Sequence, residues 1–152
     1  MHHHPTPSQI QLVRSNWALV APSEAQVAAL FYRHLLTLDP ALRPLFTGDM
    51  TAQGEKLMTM IGAALSLLDR PAQLLPVLHS LGGRHRGYGV RESHYDVVGR
   101  ALLQTLHDGL ADAFTDDARS AWIAIYGFIA TEMMAGAAAQ SPTVRMRQAL
   151  SA

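Results

Sequence analysis

Apolar side chains recur every three or four residues along most of the chain, which is the period of an amphipathic α-helix. The first helix is predicted to start at Thr6, because a threonine can cap it, Pro7 suits its first position and Gln9 completes a capping box. The run Ala-Pro-Ser at 21–23 interrupts the pattern and predicts the end of this helix. Its apolar stripe consists of Ile10, Val13, Trp17 and Val20.

The same period predicts further helices, separated by short breaks. No stretch alternates apolar and polar residues, so the pattern predicts an all-α domain of six or seven helices without identifying the helical fold. Gly82-Gly83 is predicted to end the helix at 74–81, and a turn is predicted at 87–89. The predicted helices are 23–38, a short helix begun by Asp39-Pro40, 51–68, 74–81, a helix capped by Ser93 and a long helix opened by Thr115-Asp116-Asp117.

The chain is predicted to form one domain, since 152 residues suffice for one sizeable core and no linker or repeat divides them. We expect residues 1–7, with three consecutive histidines, to be a disordered N-terminus or a tag remnant. The domain is predicted over residues 8–139. A C-terminal tail is predicted over 140–152, where Ser141-Pro142 breaks the helical pattern.

Charge and cysteine content exclude several functional classes. Lysine and arginine together number 12, as do aspartate and glutamate, so there is no electrostatic case for nucleic acid or an anionic membrane. The absence of cysteine excludes a disulfide framework, a thiolate metal site and a cysteine nucleophile. We expect no signal segment and no segment apolar enough to cross a bilayer, and therefore a cytoplasmic protein without a membrane partner.

Five histidines outside the N-terminal run are candidates for metal chemistry, and His85 has the most distinctive context. It lies between Arg84 and Arg86, just past a predicted short helix. A buried imidazole there could bind iron through one nitrogen, while the other nitrogen would need an acceptor. From the residues alone, an exposed histidine in a basic turn is the commoner case. The rival ligand is His79, whereas His34, His94 and His107 are expected at the surface.

Three segments resemble bacterial haemoglobins and the globin domains of flavohaemoglobins. GGRHRGYGVRESHYDVVGRALL resembles their proximal region, FYRHLLTLDPALRPLF their second helix and phenylalanine corner, and AWIAIYGFIA their last helix. The segments occur in the family's order at compatible separations, so the chain resembles a bacterial single-domain globin from about Gln9 to Ala137. The resemblance implies a globin fold, with six to eight helices around a pocket for haem b (iron protoporphyrin IX).

The resemblance assigns roles on the distal side of the haem. Tyr32 matches the distal tyrosine of the second helix, and Phe46 matches the phenylalanine that packs on the haem. Gln53, seven residues later, matches the distal position of the next helix, and Leu57 lies one turn beyond it. Tyr32 and Gln53 are therefore the residues expected to act on a bound gas. Residues 51–68 contain no histidine, so a second histidine ligand is not expected from this helix.

On the proximal side, the resemblance makes His85 the iron ligand. Tyr95, ten residues later, matches the tyrosine below the proximal histidine, and Val98 on the same helical stripe is expected to contact the haem. Cations near the pocket rim would pair with the haem carboxylates. Position alone makes Lys56, Arg84 and Arg86 candidates for that role.

The resemblance implies a protein that binds O₂, NO and CO. Donors from Tyr32 and Gln53 would hold O₂ tightly, which suits oxygen capture or the dioxygenation of nitric oxide. A non-enzymatic oxygen carrier, store or gas sensor is the first alternative, and a haem-free helical interaction module is the second.

Two departures from the flavohaemoglobin pattern bear on activity. Ala137 stands where those proteins have a glutamate near the proximal histidine, which weakens the case for peroxidase-like activation. The sequence also contains no flavin and nicotinamide reductase, so we expect turnover to need an external reductase.

Overall fold

The fold consists of six long α-helices, as seen in a computed structural model that describes residues 4–139. No strand occurs within that range, which confirms the all-α prediction. The predicted tail, 140–152, and residues 1–3 lie outside the described residues, and the predicted domain boundaries stay predictions. The helices are α1 (Pro7–Val20), α2 (Glu24–Leu38), α3 (Met50–Ser66), α4 (Pro71–Gly87), α5 (Glu92–Leu110) and α6 (Asp116–Ala139), with short 3₁₀ helices at Ala21–Ser23, Pro40–Leu45 and Ala111–Ala113.

Polar side chains start several helices where the sequence predicted. Thr6 and Gln9 form the predicted capping box of α1, with each backbone N–H donating to the other residue's side-chain oxygen at 2.9 and 3.2 Å. Asp39 accepts from the N–H of Ala41 and begins the short 3₁₀ helix. The predicted cap at Ser93 is wrong, because α5 already begins at Glu92.

Helix α4 is longer than predicted, and the proposed turn at Gly82-Gly83 is wrong. The helix continues to Gly87. A Cβ at Gly82 would overlap the backbone of Met133 on α6, and a Cβ at Gly136 on α6 would overlap the backbone of His79 on α4. These glycines allow two helix backbones to touch, so Gly82 serves packing rather than chain reversal.

The main core lies between α1, α3, α4, α5 and α6. Trp122 of α6 is buried at its centre, and its indole N–H donates to the Asn16 side-chain oxygen at 3.1 Å. A second apolar cluster lies between α2, the short 3₁₀ helix and α5. Its buried members are Phe31, Leu35, Leu42 and Ala101.

Helix α6 corrects the expectation that no segment is apolar enough to cross a bilayer. By length and composition alone, Asp116–Ala139 could span a membrane. Eight of its residues are buried, and it packs on α1, α4 and α5. We therefore assign α6 to the protein core. The prediction that the protein has no membrane partner stays untested.

Replacing Gly82 by alanine tests the contact between α4 and α6. We expect Gly82→Ala to lower the free energy of unfolding by about 3 kcal/mol, because the added methyl group meets backbone that cannot move aside cheaply. Urea denaturation would measure this. The matched control is Gly87→Ala in the same helix, where nothing lies within 4 Å of the added Cβ. It should raise stability by about 0.5 kcal/mol. Equal effects of the two substitutions would contradict a close helix contact at Gly82.

Candidate functional site

His85 lies on the last turn of α4, not after the helix as the sequence suggested. Its Nδ1 is 2.8 Å from the carbonyl oxygen of Leu81, one turn earlier. A carbonyl can only accept, so Nδ1 carries the proton and donates it. The other nitrogen, Nε2, makes no hydrogen bond within residues 4–139. The ring is partly buried, and a histidine binds a metal ion through a ring nitrogen that carries no proton.

Four of the residues predicted to line the site meet in the second apolar cluster. Tyr32 comes from α2, Phe46 follows the short 3₁₀ helix, Leu57 comes from α3 and Val98 from α5. The Tyr32 and Phe46 rings meet edge to face with centroids 5.4 Å apart. All four side chains are partly buried, as are Leu36, Val97 and Leu102 of the same cluster. This apolar surface remains accessible to a ligand.

The phenol of Tyr32 is a neutral hydrogen-bond donor at physiological pH. Burial raises the pKa of its hydroxyl above the ordinary value, so the group stays protonated. Its ring is fixed between Phe31, at a centroid distance of 5.5 Å, and Phe46. Helix α3 passes close behind it, since a Cβ at Gly54 would lie 2.9 Å from Ala28 Cβ and 3.9 Å from the Tyr32 ring.

Gln53 is engaged with the loop that precedes α3. Its side-chain amide donates to the carbonyl oxygen of Thr47 at 2.6 Å. The residue lies on the first turn of α3 and is partly buried. One of its two amide protons is therefore committed to the backbone, and its role as a distal donor stays a prediction.

Tyr95 packs against the main core, where it contacts α6 through its backbone. The Tyr126 hydroxyl donates to the Tyr95 carbonyl oxygen at 2.6 Å. Gly99 leaves room for the Tyr126 ring, because a Cβ there would lie 2.8 Å from it. Burial raises the pKa of both phenols, so both stay neutral. Sequence reasoning missed Tyr126, although a glycine inside α5 was a signal that a bulky group approaches.

His79, the rival ligand, is bound by a carboxylate on α6. Its Nε2 lies 2.7 Å from Glu132 Oε2, with the two side chains 43% and 20% exposed. Sequence reasoning had no signal for this pair, since it joins residues 53 positions apart across a helix contact. Glu132 of α6 is thus hydrogen-bonded to His79, whereas His85 donates to the backbone carbonyl of Leu81.

The three predicted rim cations, Lys56, Arg84 and Arg86, are all exposed. Within residues 4–139, no carboxylate lies within 4.0 Å of their charged nitrogens. They are therefore available to pair with an anionic group.

The residues present fit a haem group. An imidazole whose Nδ1 donates to a backbone carbonyl can present Nε2 as an axial ligand for haem iron. The partly buried apolar surface of the second cluster suits a flat macrocycle, and exposed cations suit its carboxylates.

Comparisons with known proteins identify relatives of the chain. The family profile described as Globin matches residues 29–133, more than half of the chain. The chain is 36% identical to a "Flavohemoprotein" of Bordetella parapertussis over 103 residues, which cover 66% of this chain and 26% of that protein. It is 29% identical to a "Flavohemoprotein" of Chromobacterium violaceum over 126 residues, 81% of this chain and 31% of that protein.

A "Neuroglobin" of Danio rerio is 30% identical over 139 residues, which cover 82% of this chain and 87% of the relative. The chain therefore matches nearly the whole length of this relative. It spans only about a quarter to a third of the flavohemoproteins.

Removing the Tyr126 hydroxyl tests the link between α5 and α6. Tyr126→Phe should lower the free energy of unfolding by about 1 kcal/mol, because it removes one partly buried hydrogen bond while keeping the ring. Chemical denaturation measures the change. Tyr88→Phe is the control, since Tyr88 is 72% exposed and its loss of a hydroxyl should leave stability unchanged. A Tyr126→Phe protein as stable as the unmodified chain would show that the hydroxyl bond does not join the helices.

Proposed function

Since the chain belongs to the globin family and is a haem-binding protein, we propose that His85 is its iron ligand and that Tyr32 holds oxygen on the opposite side. The proposal includes two further elements, the dioxygenation of nitric oxide and non-covalent binding of haem b. No cysteine is present to attach a haem covalently.

The observation that carries the proposal is the hydrogen bond from His85 Nδ1 to the Leu81 carbonyl oxygen. It fixes the tautomer and limits rotation of the ring, so Nε2 has a set direction. Because a neutral carbonyl accepts the proton, the imidazole gains little negative character. This arrangement favours reversible gas binding over peroxidase-like activation.

Haem iron supplies the binding of diatomic gases and, with one electron from outside the protein, the combination of O₂ with nitric oxide to give nitrate. The chain's own residues would hold and shield the group. Phe46, Leu57 and Val98, which pack against the second apolar cluster, would exclude water from the macrocycle. Arg84 and Arg86, which flank His85, would pair with the haem carboxylates.

Tyr32 would hold oxygen by donating its phenol proton. Oxygen bound to ferrous iron gains partial negative charge, and a hydrogen bond to a charged acceptor contributes about 1.5–3 kcal/mol. That range slows release of the ligand by about tenfold to a hundredfold. Gln53 would add a second donor, either through its remaining amide proton or after it leaves Thr47.

One observation favours the alternative of a non-enzymatic carrier or store. One Gln53 amide proton already donates to Thr47, so only the remaining proton would be free to act beside the Tyr32 hydroxyl. A hold on oxygen weaker than a fully free amide would give suits reversible release. The external reductase that turnover would need is likewise a proposal, since the chain matches only part of the flavohemoproteins' length.

Substituting His85 tests the iron ligand. His85→Ala should lose most of its haem on gel filtration, because the one coordinate bond from the protein is gone, and the ferrous absorption spectrum should change. His107→Ala is the matched control, a histidine whose side chain is 74% exposed. A His85→Ala protein that keeps the parent's ferrous and CO-bound spectra would refute the assignment.

Substituting Tyr32 tests the distal donor. Tyr32→Phe should raise the oxygen dissociation rate by about tenfold or more, because the hydrogen bond is lost while the ring stays. Stopped-flow displacement of oxygen by CO measures this rate.

Mixing the oxygen-loaded parent protein with nitric oxide tests the dioxygenation activity. The spectrum of the oxygen-loaded form should be lost rapidly, and nitrate should form. An unchanged dissociation rate, with an oxygen-loaded form that persists in excess nitric oxide, would favour simple carriage.

A further inference from the structure

Helix α4, which carries His85, is joined to α6 by two separate contacts. In the first, Gly82 and Gly136 let the helix backbones meet directly. In the second, the His79 imidazole and the Glu132 carboxylate share a hydrogen bond of 2.7 Å. Helix α6 is itself held in the core by buried side chains, Trp122 among them. It is therefore a rigid support for α4.

The spacing of these contacts along α4 relates them to His85. His79 lies three residues before Gly82, and His85 lies three residues after it. Three residues are just under one helical turn, so the hydrogen bond lies at the N-terminal end of the backbone contact and His85 lies one turn beyond its C-terminal end. About 9 Å of helix axis separates His79 from His85. The side-chain bond of His79 adds a directional link to the backbone contact that the same residue makes with Gly136.

Side chains of the first half of α4 also restrain it, since Leu74 and Leu78 are buried in the main core. Pro76 lies inside the helix and has no N–H to donate to the carbonyl of residue 72, which weakens the link to the first turn. Beyond Gly82, the side chains of Arg84, Arg86 and Tyr88 are exposed. The restraints near His85 therefore include the Gly82 contact and, one turn earlier, the hydrogen bond of His79 to Glu132.

We propose that His79 and Glu132 are a positioning pair, which fixes the tilt of α4 and thereby the direction of His85 Nε2. The inference rests on the proposed role of His85 as the iron ligand. Neither residue touches the ligand or the haem; they act through the helix. The Glu132 side chain is 20% exposed, so water competes for it less than for a surface carboxylate, while the His79 side chain is 43% exposed.

The test is the iron–histidine stretching band in the resonance Raman spectrum of the ferrous protein, which reports the strength and tilt of that bond. We expect His79→Ala and Glu132→Ala to shift the band to lower frequency and to broaden it. Haem should transfer to apomyoglobin about tenfold faster. His79→Gln, whose amide can still donate to Glu132, should retain the parent's band. Glu132→Gln keeps the side-chain shape but removes the carboxylate charge that strengthens the bond, so it should also shift the band, by less than the alanine variants, and it serves if those variants fail to fold.

The matched control is a second histidine–carboxylate pair with the same distance. His34 Nε2 of α2 lies 2.7 Å from Asp108 Oδ2 of α5, and neither helix carries the ligand. Asp108→Ala should leave the band unchanged. An equal shift in Asp108→Ala, or no shift in His79→Ala, Glu132→Ala and Glu132→Gln, would overturn the proposal. A protein with no ferrous haem band at all would instead refute the role of His85, so the two failures are distinguishable.

Discussion

The backbone contact between α4 and α6 is the constraint on which the proximal side of the site depends. Two helices can approach this closely only where a residue without a Cβ faces the other backbone, and here Gly82 faces Met133 while Gly136 faces His79. Because α6 is packed by α1 and α5 as well, the position of α4 follows from the main core. The position of His85, on the last turn of α4, thus depends on this helix contact.

The distal side is built on the same physical principle. A Cβ at Gly54 would press on Ala28, so α2 and α3 cross where both side chains are small or absent. This close crossing brings Tyr32 of α2 and Leu57 of α3 into one apolar cluster with Phe46. Each of the two helix pairs, α4 with α6 and α2 with α3, is therefore joined through glycine. The side chains of Tyr32, Phe46 and Leu57 remain partly exposed, as a site for a large planar ligand requires.

Much of this organisation could be predicted from the sequence, and the errors have a common cause. Periodicity located the helices, and capping residues such as Thr6 and Asp39 located several starts, because both signals depend on near neighbours in the chain. The resemblance to globins named Tyr32, Phe46, Leu57 and Val98, which do meet in the structure. The turn predicted at Gly82 was wrong, because this glycine makes room for the backbone of Met133 on another helix. The pairing of His79 with Glu132 and the bond from Tyr126 to Tyr95 also join distant segments, so local patterns carried no information about them.

The hydrogen bond between Gln53 and Thr47 links the distal wall to the loop before α3. A polar ligand that takes this amide proton must displace the Thr47 carbonyl, so the backbone acts as an internal competitor for the same donor. The free energy of the hydrogen bond to Thr47 then lowers the net free energy of ligand binding. By reciprocity, a ligand bound to this amide weakens the attachment of the loop. Substitutions at 47–49 that alter this competition would tune affinity without changing the apolar residues proposed to line the site.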